Sequence, residues 1–364
     1  MIPYFDYRPE LQRLRAEIDE SIARVLDSGQ VILGPEVRSF ESECATALHV
    51  PAAVGVASGT DALIVALRSL DIGHGDEVIT VANAGVPPVA AIRAVGARPR
   101  FVDVDPGTLL LDPAKLAGVL TSDTRCVLPV HLYGQAAEMD TILEFAGAHG
   151  LRVVEDCAQA QGAEYRERAV GTMGDVGCFS FYPTKTLGAY GDGGLCASRH
   201  PGLENRLRRV RMYGFDGDRH AHVEGVNSRL DEIQAAILRV KLRHIQETLD
   251  ARRAIAERYL EGLEGSRCIP TRSTPGSTHV HHLFVVRVPE RDRVVETLVR
   301  EGIGYGLHYA EPVHLMEAYR ALGPGEGALP VSESACREVL SLPIYPGLAP
   351  ADVDLVVRTL RAAC

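Results

Sequence analysis

Between residues 52 and 155 the chain alternates short apolar runs rich in β-branched residues with helical segments. The runs are AAVGVA (52–57), EVITV (77–81), RFVDV (100–104), RCVLPV (125–130) and LRVVE (151–155). Between them DALIVALRSL, 87–96, 113–120 and 137–149 read as helices. Strands separated in this way by helices require a mostly parallel sheet with helices on both faces, an α/β architecture. An opening helix over 10–28 places Leu11, Leu14, Ile18, Ile22, Val25 and Leu26 on one face and stops at Ser28-Gly29. Past Pro35, Val37, Phe40, Cys44 and Leu48 continue the same period. The pattern changes after 229: one long helix over 229–262, then a strand over 280–288, a helix over 291–301 and a last helix over 351–362. This predicts a large domain over 1–245 and a smaller C-terminal α+β domain over 246–364, joined by the long helix.

At 364 residues the chain can bury two cores. Its formal charge of -10 disfavours a nucleic-acid or anionic-membrane partner, since either calls for a basic surface. The first twenty residues lack a basic-then-apolar signal pattern, and no apolar run reaches the ~18 residues of a membrane helix, so a cytoplasmic protein is expected. Eight cysteines without a CxxC pair suit neither a zinc site nor a redox motif, and are expected mostly reduced and buried.

Two segments carry chemistry. FSFYPTKTLGAYGDGG (179–194) sets Lys185 in a strand-to-loop segment crowded with glycines, which permit close approach of a flat partner. LRVVEDCAQAQG (151–162) ends an apolar strand in Glu155-Asp156, and a carboxylate at the C-terminal end of such a strand faces the ligand crevice. A lysine for imine formation and an anion for a ring nitrogen are what pyridoxal 5'-phosphate (PLP) requires. A third segment, Ser58-Gly59-Thr60 between a strand and a helix, offers free N–H groups and a helix dipole to an anion. Each has a plain alternative: an exposed loop lysine, an Asp156 helix cap, an ordinary Ser58 capping turn. Histidines 279, 281 and 282 lack a carboxylate or cysteine at ligand spacing, and no metal is expected there. RLRRVRMYG (206–214) reads as a solvated helix face or as the border of an entry for an anionic substrate.

The motifs IPYFDY, SGQVILGPEV, VGVASGTDAL, GDEVITVAN, PVHLYGQ, EDCAQAQGA, FSFYPTKTLGAYGDGG, GVNSRLDEIQAA and GLHYAEPVH run nearly end to end. In this order they resemble the DegT/StrS family of PLP-dependent sugar aminotransferases. The resemblance implies the aspartate-aminotransferase-like architecture (PLP fold type I) and action on a nucleotide-linked keto-sugar, with L-glutamate as amino donor. It implies that Lys185 is the Schiff-base lysine, Asp156 the partner of the pyridine nitrogen and Gln159 a contact to the ring hydroxyl oxygen. Gly59, Thr60 and Ser180 match phosphate contacts. Asn227 matches one supplied by a neighbouring subunit, which implies a homodimer with shared active sites. Tyr182, His308 and Tyr309 match positions near the hexose, and Arg219 one near the nucleotide diphosphate.

Two positions depart from the pattern. Where many relatives carry an aromatic residue that stacks on the cofactor, this chain has Gly85, so stacking must come from elsewhere or be aliphatic, for instance from Val86. His281 stands where relatives commonly have tyrosine. Relatives that eliminate a hydroxyl have replaced the lysine by histidine, so Lys185 favours amino transfer. HLYGQ with Tyr182, His308 and Tyr309 favours a 3-keto over a 4-keto hexose. A keto-cyclitol aminotransferase and a catalytically idle sensor or partner-binding protein remain as alternatives.

Overall fold

The computed structural model describes residues 1–217 and 219–364. Helix α1 (Arg8–Ser28) ends at Gly29, whose φ of 66° and N–H bonded to the Leu26 carbonyl turn the chain back. It is followed by α2 (Pro35–Ala47), β1 (Ala52–Val56), α3 (Gly59–Ser69), β2 (Glu77–Val81), α4 (Pro87–Ala94), β3 (Arg98–Val102), β4 (Thr124–Val127), α5 (Met139–His149) and β5 (Arg152–Asp156). A short hairpin, β6 (Glu164–Tyr165) and β7 (Arg168–Ala169), precedes β8 (Val176–Ser180), β9 (Gly194–Ser198) and α6 (Pro201–Val210). Seven strands form one sheet in the order β1-β9-β8-β5-β4-β2-β3. The β2–β3, β2–β4, β4–β5 and β5–β8 pairings are parallel, whereas β9 runs antiparallel to β1 and β8. β1 therefore points the same way as β8, and β1, β2, β4, β5 and β8 all end on one edge. Every residue of β1, β2, β8 and β9 is buried, so both faces need cover. Helix α3 packs on β8 and β9, α2 on β1, and α1 and α2 on α7 (Glu232–Arg243).

A second core gathers Tyr259, Phe284, Val286, Leu298, Leu340 and Val356. It belongs to α8 (Ile245–Leu263), a sheet ordered β10 (Ile269–Pro270), β12 (Phe284–Arg287), β13 (Val339–Leu342), and the helices α9 (Arg291–Arg300) and α11 (Pro350–Ala363). Strand β11 (Ser277–Thr278) instead extends the β6–β7 hairpin, and α10 (Pro330–Glu338) leads into β13. Ile2 joins this second core and bridges to Ile303, so the amino terminus returns to residues more than 250 positions away. No helix among the described residues is long and apolar enough to cross a membrane.

Several expectations need correction. The helix expected over 229–262 starts only at Glu232 and is broken at His244 (φ -107°, ψ 10°) into α7 and α8. Of the strand expected over 280–288 only Phe284–Arg287 forms, because the N–H groups of Val280 and Leu283 bond the Gly134 and Tyr133 carbonyls instead of a strand neighbour. Residues Pro113–Gly118 form a 3-10 helix. Within 206–214, Arg211 is no solvated side chain: it is buried and shares the Glu41 carboxylate with Arg208, which bonds it at 2.7 Å. Cys268 and Cys364 form a disulfide tying α11 to the segment before β10, while the other six cysteines are free and buried.

Candidate active site

The shared sheet edge brings the candidate residues together. Parallel pairing of β5 with β8 sets Asp156 opposite Cys178, two residues before Ser180. The Asp156 backbone is held on both sides, its N–H donating to Pro129 at 2.9 Å and its carbonyl accepting from His131 at 3.0 Å. Its Oδ1 accepts the Ala158 N–H at 3.0 Å, the capping role open to an aspartate here, while Oδ2 takes no hydrogen bond from the described residues. Behind it, Ala137 donates to His131 Nδ1 at 3.0 Å, so the proton sits on His131 Nε2 and is donated to Glu155 at 3.0 Å. Glu155 also accepts N–H groups from Gly171, Met173 and Gly174. Burial alone would raise its carboxyl pKa, but His131 and these N–H groups bring it below the ordinary value. Cys157 lies beside this pair, close enough for the three to offer a metal ligand atom each. The carboxylate is already saturated by N–H donors, so the group reads as the rigid support of Asp156.

Gln159 is oriented by its neighbours. The Tyr133 N–H donates to its Oε1 at 2.7 Å, which turns Nε2 toward the Tyr309 hydroxyl, 3.2 Å away. Lys185 sits on a tight loop from Phe181 to Ala189, closed by Lys185 N–H to Tyr182 at 2.8 Å and Ala189 N–H to Phe181 at 2.7 Å. Two of the glycines after the lysine also make room for the protein's own backbone. A Cβ on Gly188 would lie 2.6 Å from the Pro183 carbonyl oxygen, and one on Gly194 2.3 Å from that of Ser58. They let the protein's own backbone close up around Lys185. The second contact also presses the Ser58-Gly59-Thr60 turn against β9.

Ser58 caps α3 by accepting the Asp61 N–H at 3.1 Å, leaving the Gly59 and Thr60 N–H groups without helical partners. A Cβ on Gly59 would lie 2.5 Å from Ser180 Cβ and 3.0 Å from its hydroxyl, so the turn and the end of β8 touch. Gly59, Thr60 and Ser180 thus lie together at the positive end of α3, where an anion is favoured.

Beside it opens a cavity of about 310 Å³ lined by Lys185, Gln159, Tyr182, His308 and Tyr309, together with Tyr4, Phe5, Thr184, His282, Leu283 and Ile344. Lys185 is partly exposed by area because it faces this cavity. Burial lowers its pKa to about 8 against the opposing pull of Asp156. Burial raises the Asp156 pKa, offset in part by the Ala158 N–H, Lys185 and His131. Burial and the Lys185 charge lower His308 to about 4 and push His282 well below its usual value, so both imidazoles are neutral at pH 7. Burial and the Asp156 charge raise Tyr309 to about 12. The site sets one amine with a lowered pKa beside two neutral imidazoles and the Asp156 carboxylate.

Of the residues named from sequence, Arg219 lies exposed on the loop after α6 and does not line the cavity. Asn227, on the same loop, bridges to Met212 and has no hydrogen bond to the Lys185 group among the described residues. Tyr182, 53% exposed, stands at the mouth. Sequence reasoning missed Tyr4, Phe5, Thr184, Leu283 and Ile344. IPYFDY was a motif, yet nothing in its spacing says that its aromatics reach Lys185. Of the three histidines 279, 281 and 282, His282 lines the cavity, while the rings of the other two stack 3.9 Å apart.

The donor set fits pyridoxal phosphate: a buried amine, a carboxylate with an uncommitted oxygen, and an anion cradle on one edge. Gln159 lines the same cavity as Lys185. The chain matches the model of the DegT/DnrJ/EryC1/StrS aminotransferase family over residues 12–361. It is 46% identical to the dTDP-3-amino-3,4,6-trideoxy-alpha-D-glucose transaminase of Streptomyces venezuelae, over 99% of this chain and 95% of that protein. It superposes on the crystal structure of S. venezuelae DesV in complex with a ketimine intermediate with a TM-score of 0.97, at 45% identity, covering 99% of this chain and 98% of that one. NtdA from Bacillus subtilis with bound cofactor PMP gives a TM-score of 0.89 at 28% identity, covering 96% and 81%.

Proposed function

Because the chain belongs to the DegT/DnrJ/EryC1/StrS aminotransferase family of PLP-dependent enzymes, we propose that it moves the amino group of L-glutamate onto the keto carbon of a nucleotide-linked deoxyhexose, with C3 favoured. The observation that carries this is the cavity beside Lys185. Its walls are hydroxyls and imidazoles (Tyr4, Tyr182, His282, His308) interleaved with Phe5, Leu283 and Ile344, a lining suited to an uncharged sugar ring with a deoxy carbon. The kinship to a transaminase of a dTDP-linked 3-amino sugar supports the nucleotide and the carbon.

Gly59, Thr60 and Ser180 would hold the cofactor phosphate, Asp156 the ring nitrogen, Gln159 the ring oxygen and Lys185 the aldehyde carbon. Bound there, the cofactor supplies an electron sink for the carbon that loses or gains a proton. The protein moves that proton. With a pKa of about 8, the Lys185 amine would be free often enough at neutral pH to take a proton at Nζ and give it back. Asp156, anchored by the Ala158 N–H and its backbone, would offer its carboxylate to the ring nitrogen. Tyr182, His308 and Tyr309 would orient the hexose. Arg219 and Asn227 lie outside the cavity of their own chain, and are assigned to a neighbouring subunit's site: Asn227 to the phosphate and Arg219 to the diphosphate of the sugar nucleotide. That assignment makes the active unit a homodimer.

The test is a panel of dTDP- and UDP-linked 3-keto and 4-keto hexoses, with a keto-cyclitol, offered to the glutamate-charged enzyme. Amination of a nucleotide-linked 3-keto-deoxyhexose, located by NMR of the product, is expected. Turnover of the cyclitol with none of the nucleotide sugars would overturn the reading.

A further inference from the structure

Gly85 lies in the turn between β2 and α4, on the sheet edge where β5 ends in Asp156, with φ +84°. A Cβ placed on it would stand 2.8 Å from Cζ of Tyr309, 3.0 Å from Cε1 and 3.2 Å from Cε2. Three atoms of one ring at these distances mean that the ring covers the Gly85 Cα. The volume of a residue-85 side chain is already filled by a residue from far along the chain.

Tyr309 is held in that place from both ends. Its hydroxyl accepts from Gln159 Nε2 at 3.2 Å, and Gln159 is itself set by the Tyr133 N–H. The Tyr133 hydroxyl donates to the His308 carbonyl at 2.6 Å, next to Tyr309 in sequence. Tyr133 thus fixes the tyrosine through its backbone at one end and its side chain at the other. The ring stands in the cavity that contains Lys185, within reach of the Asp156 charge.

We propose that Gly85 and Tyr309 are a size-matched pair: the Tyr309 ring supplies the cleft wall that residue 85 leaves open, and so positions pyridoxal phosphate over Asp156 and Gln159. This rests on the family's cofactor and not on the identity of the sugar. Tyr309 is then a positioning residue for the cofactor as well as a contact for the hexose. An aromatic ring over a flat heterocycle is a favourable arrangement in its own right.

The experiment is a double-mutant cycle read as the dissociation constant of pyridoxal phosphate, by visible absorbance, for Gly85→Ala, Tyr309→Ala and the double variant. Any backbone cost of Ala at a positive φ is common to both backgrounds and cancels. Gly85→Ala alone is expected to weaken the cofactor by about tenfold or more, and by less than about threefold when Tyr309 is already Ala, a coupling usual for touching residues. A second arm needs no change at 85. Tyr309→Ala leaves a phenol-sized gap over an intact Gly85, so it is expected to bind cofactor about tenfold more weakly and to recover most of that loss when phenol is added, while Tyr309→Phe stays near wild type. Strictly additive effects in the cycle would overturn the proposal. If the Gly85→Ala chains do not fold, the phenol arm decides, and Tyr309→Ala that binds normally or ignores phenol overturns it as well.

Discussion

Lys185 in the cofactor-free protein should titrate far below an ordinary lysine, and Asp156 should be what keeps it from falling further. Burial lowers the amine to about 8 while the Asp156 charge opposes. At pH 7 a pKa of about 8 leaves roughly one amine in ten neutral, against about one in 2,500 for an unperturbed lysine near 10.4, a gain of about 250-fold in reactive amine. Asp156→Asn removes the opposing charge but not the burial, so the pKa should drop below that of wild type. The chain has only three lysines, Lys115, Lys185 and Lys241, which makes the measurement direct. Reductive methylation with 13C-formaldehyde labels them and the amino terminus, and the resonance missing from Lys185→Ala identifies the site. A Lys185 titration above 10, or a rise on Asp156→Asn, would refute the reasoning.

The same shift costs stability. The unfolded chain binds more protons than the folded one between about 8 and ~10.4, so Lys185→Met should stabilise the cofactor-free protein at pH 7 by up to about 3 kcal/mol, with the advantage fading as pH rises across that window, followed by urea unfolding. Gly59→Ala would force its Cβ to 2.5 Å from Ser180 Cβ and deform the anion cradle. It should raise the cofactor dissociation constant by about tenfold or more, the loss of one charge-assisted hydrogen bond. Glu41→Ala strands the buried Arg211, which shares the Glu41 carboxylate with Arg208. Its unfolding free energy should fall by about 3–5 kcal/mol while the visible spectrum of the holoenzyme keeps its shape.

The parts of the fold written in local pattern were legible: the strand and helix alternation through 155, the strand ending in Asp156, the turn at Ser58. Their convergence followed because parallel strands deliver their ends to one edge. The direction of β9 was not legible, since GLCAS is buried throughout, shows no alternation and reads alike in either orientation. The cavity walls were harder still. Tyr4 and Phe5 reach Lys185 only because the amino terminus packs into the second core through Ile2, and residues 279–283 depart from a strand because their partners are Tyr133 and Gly134. For the glycines after Lys185 the structure adds a reason that local pattern does not carry: Gly188 and Gly194 make room for backbone. Arg211 looked like surface because its partner, Glu41, lies far back on α2.

The central claim, that Lys185 and Asp156 make this chain a transaminase working on a nucleotide-linked sugar, is tested most directly by the visible spectrum through one full cycle. The holoenzyme should lose its yellow absorbance on L-glutamate and regain it on a dTDP-linked 3-keto-deoxyhexose, with Lys185→Ala failing at both steps. Bound cofactor that no amino donor bleaches, or bleached enzyme that every nucleotide-linked keto-sugar leaves colourless, would contradict the account.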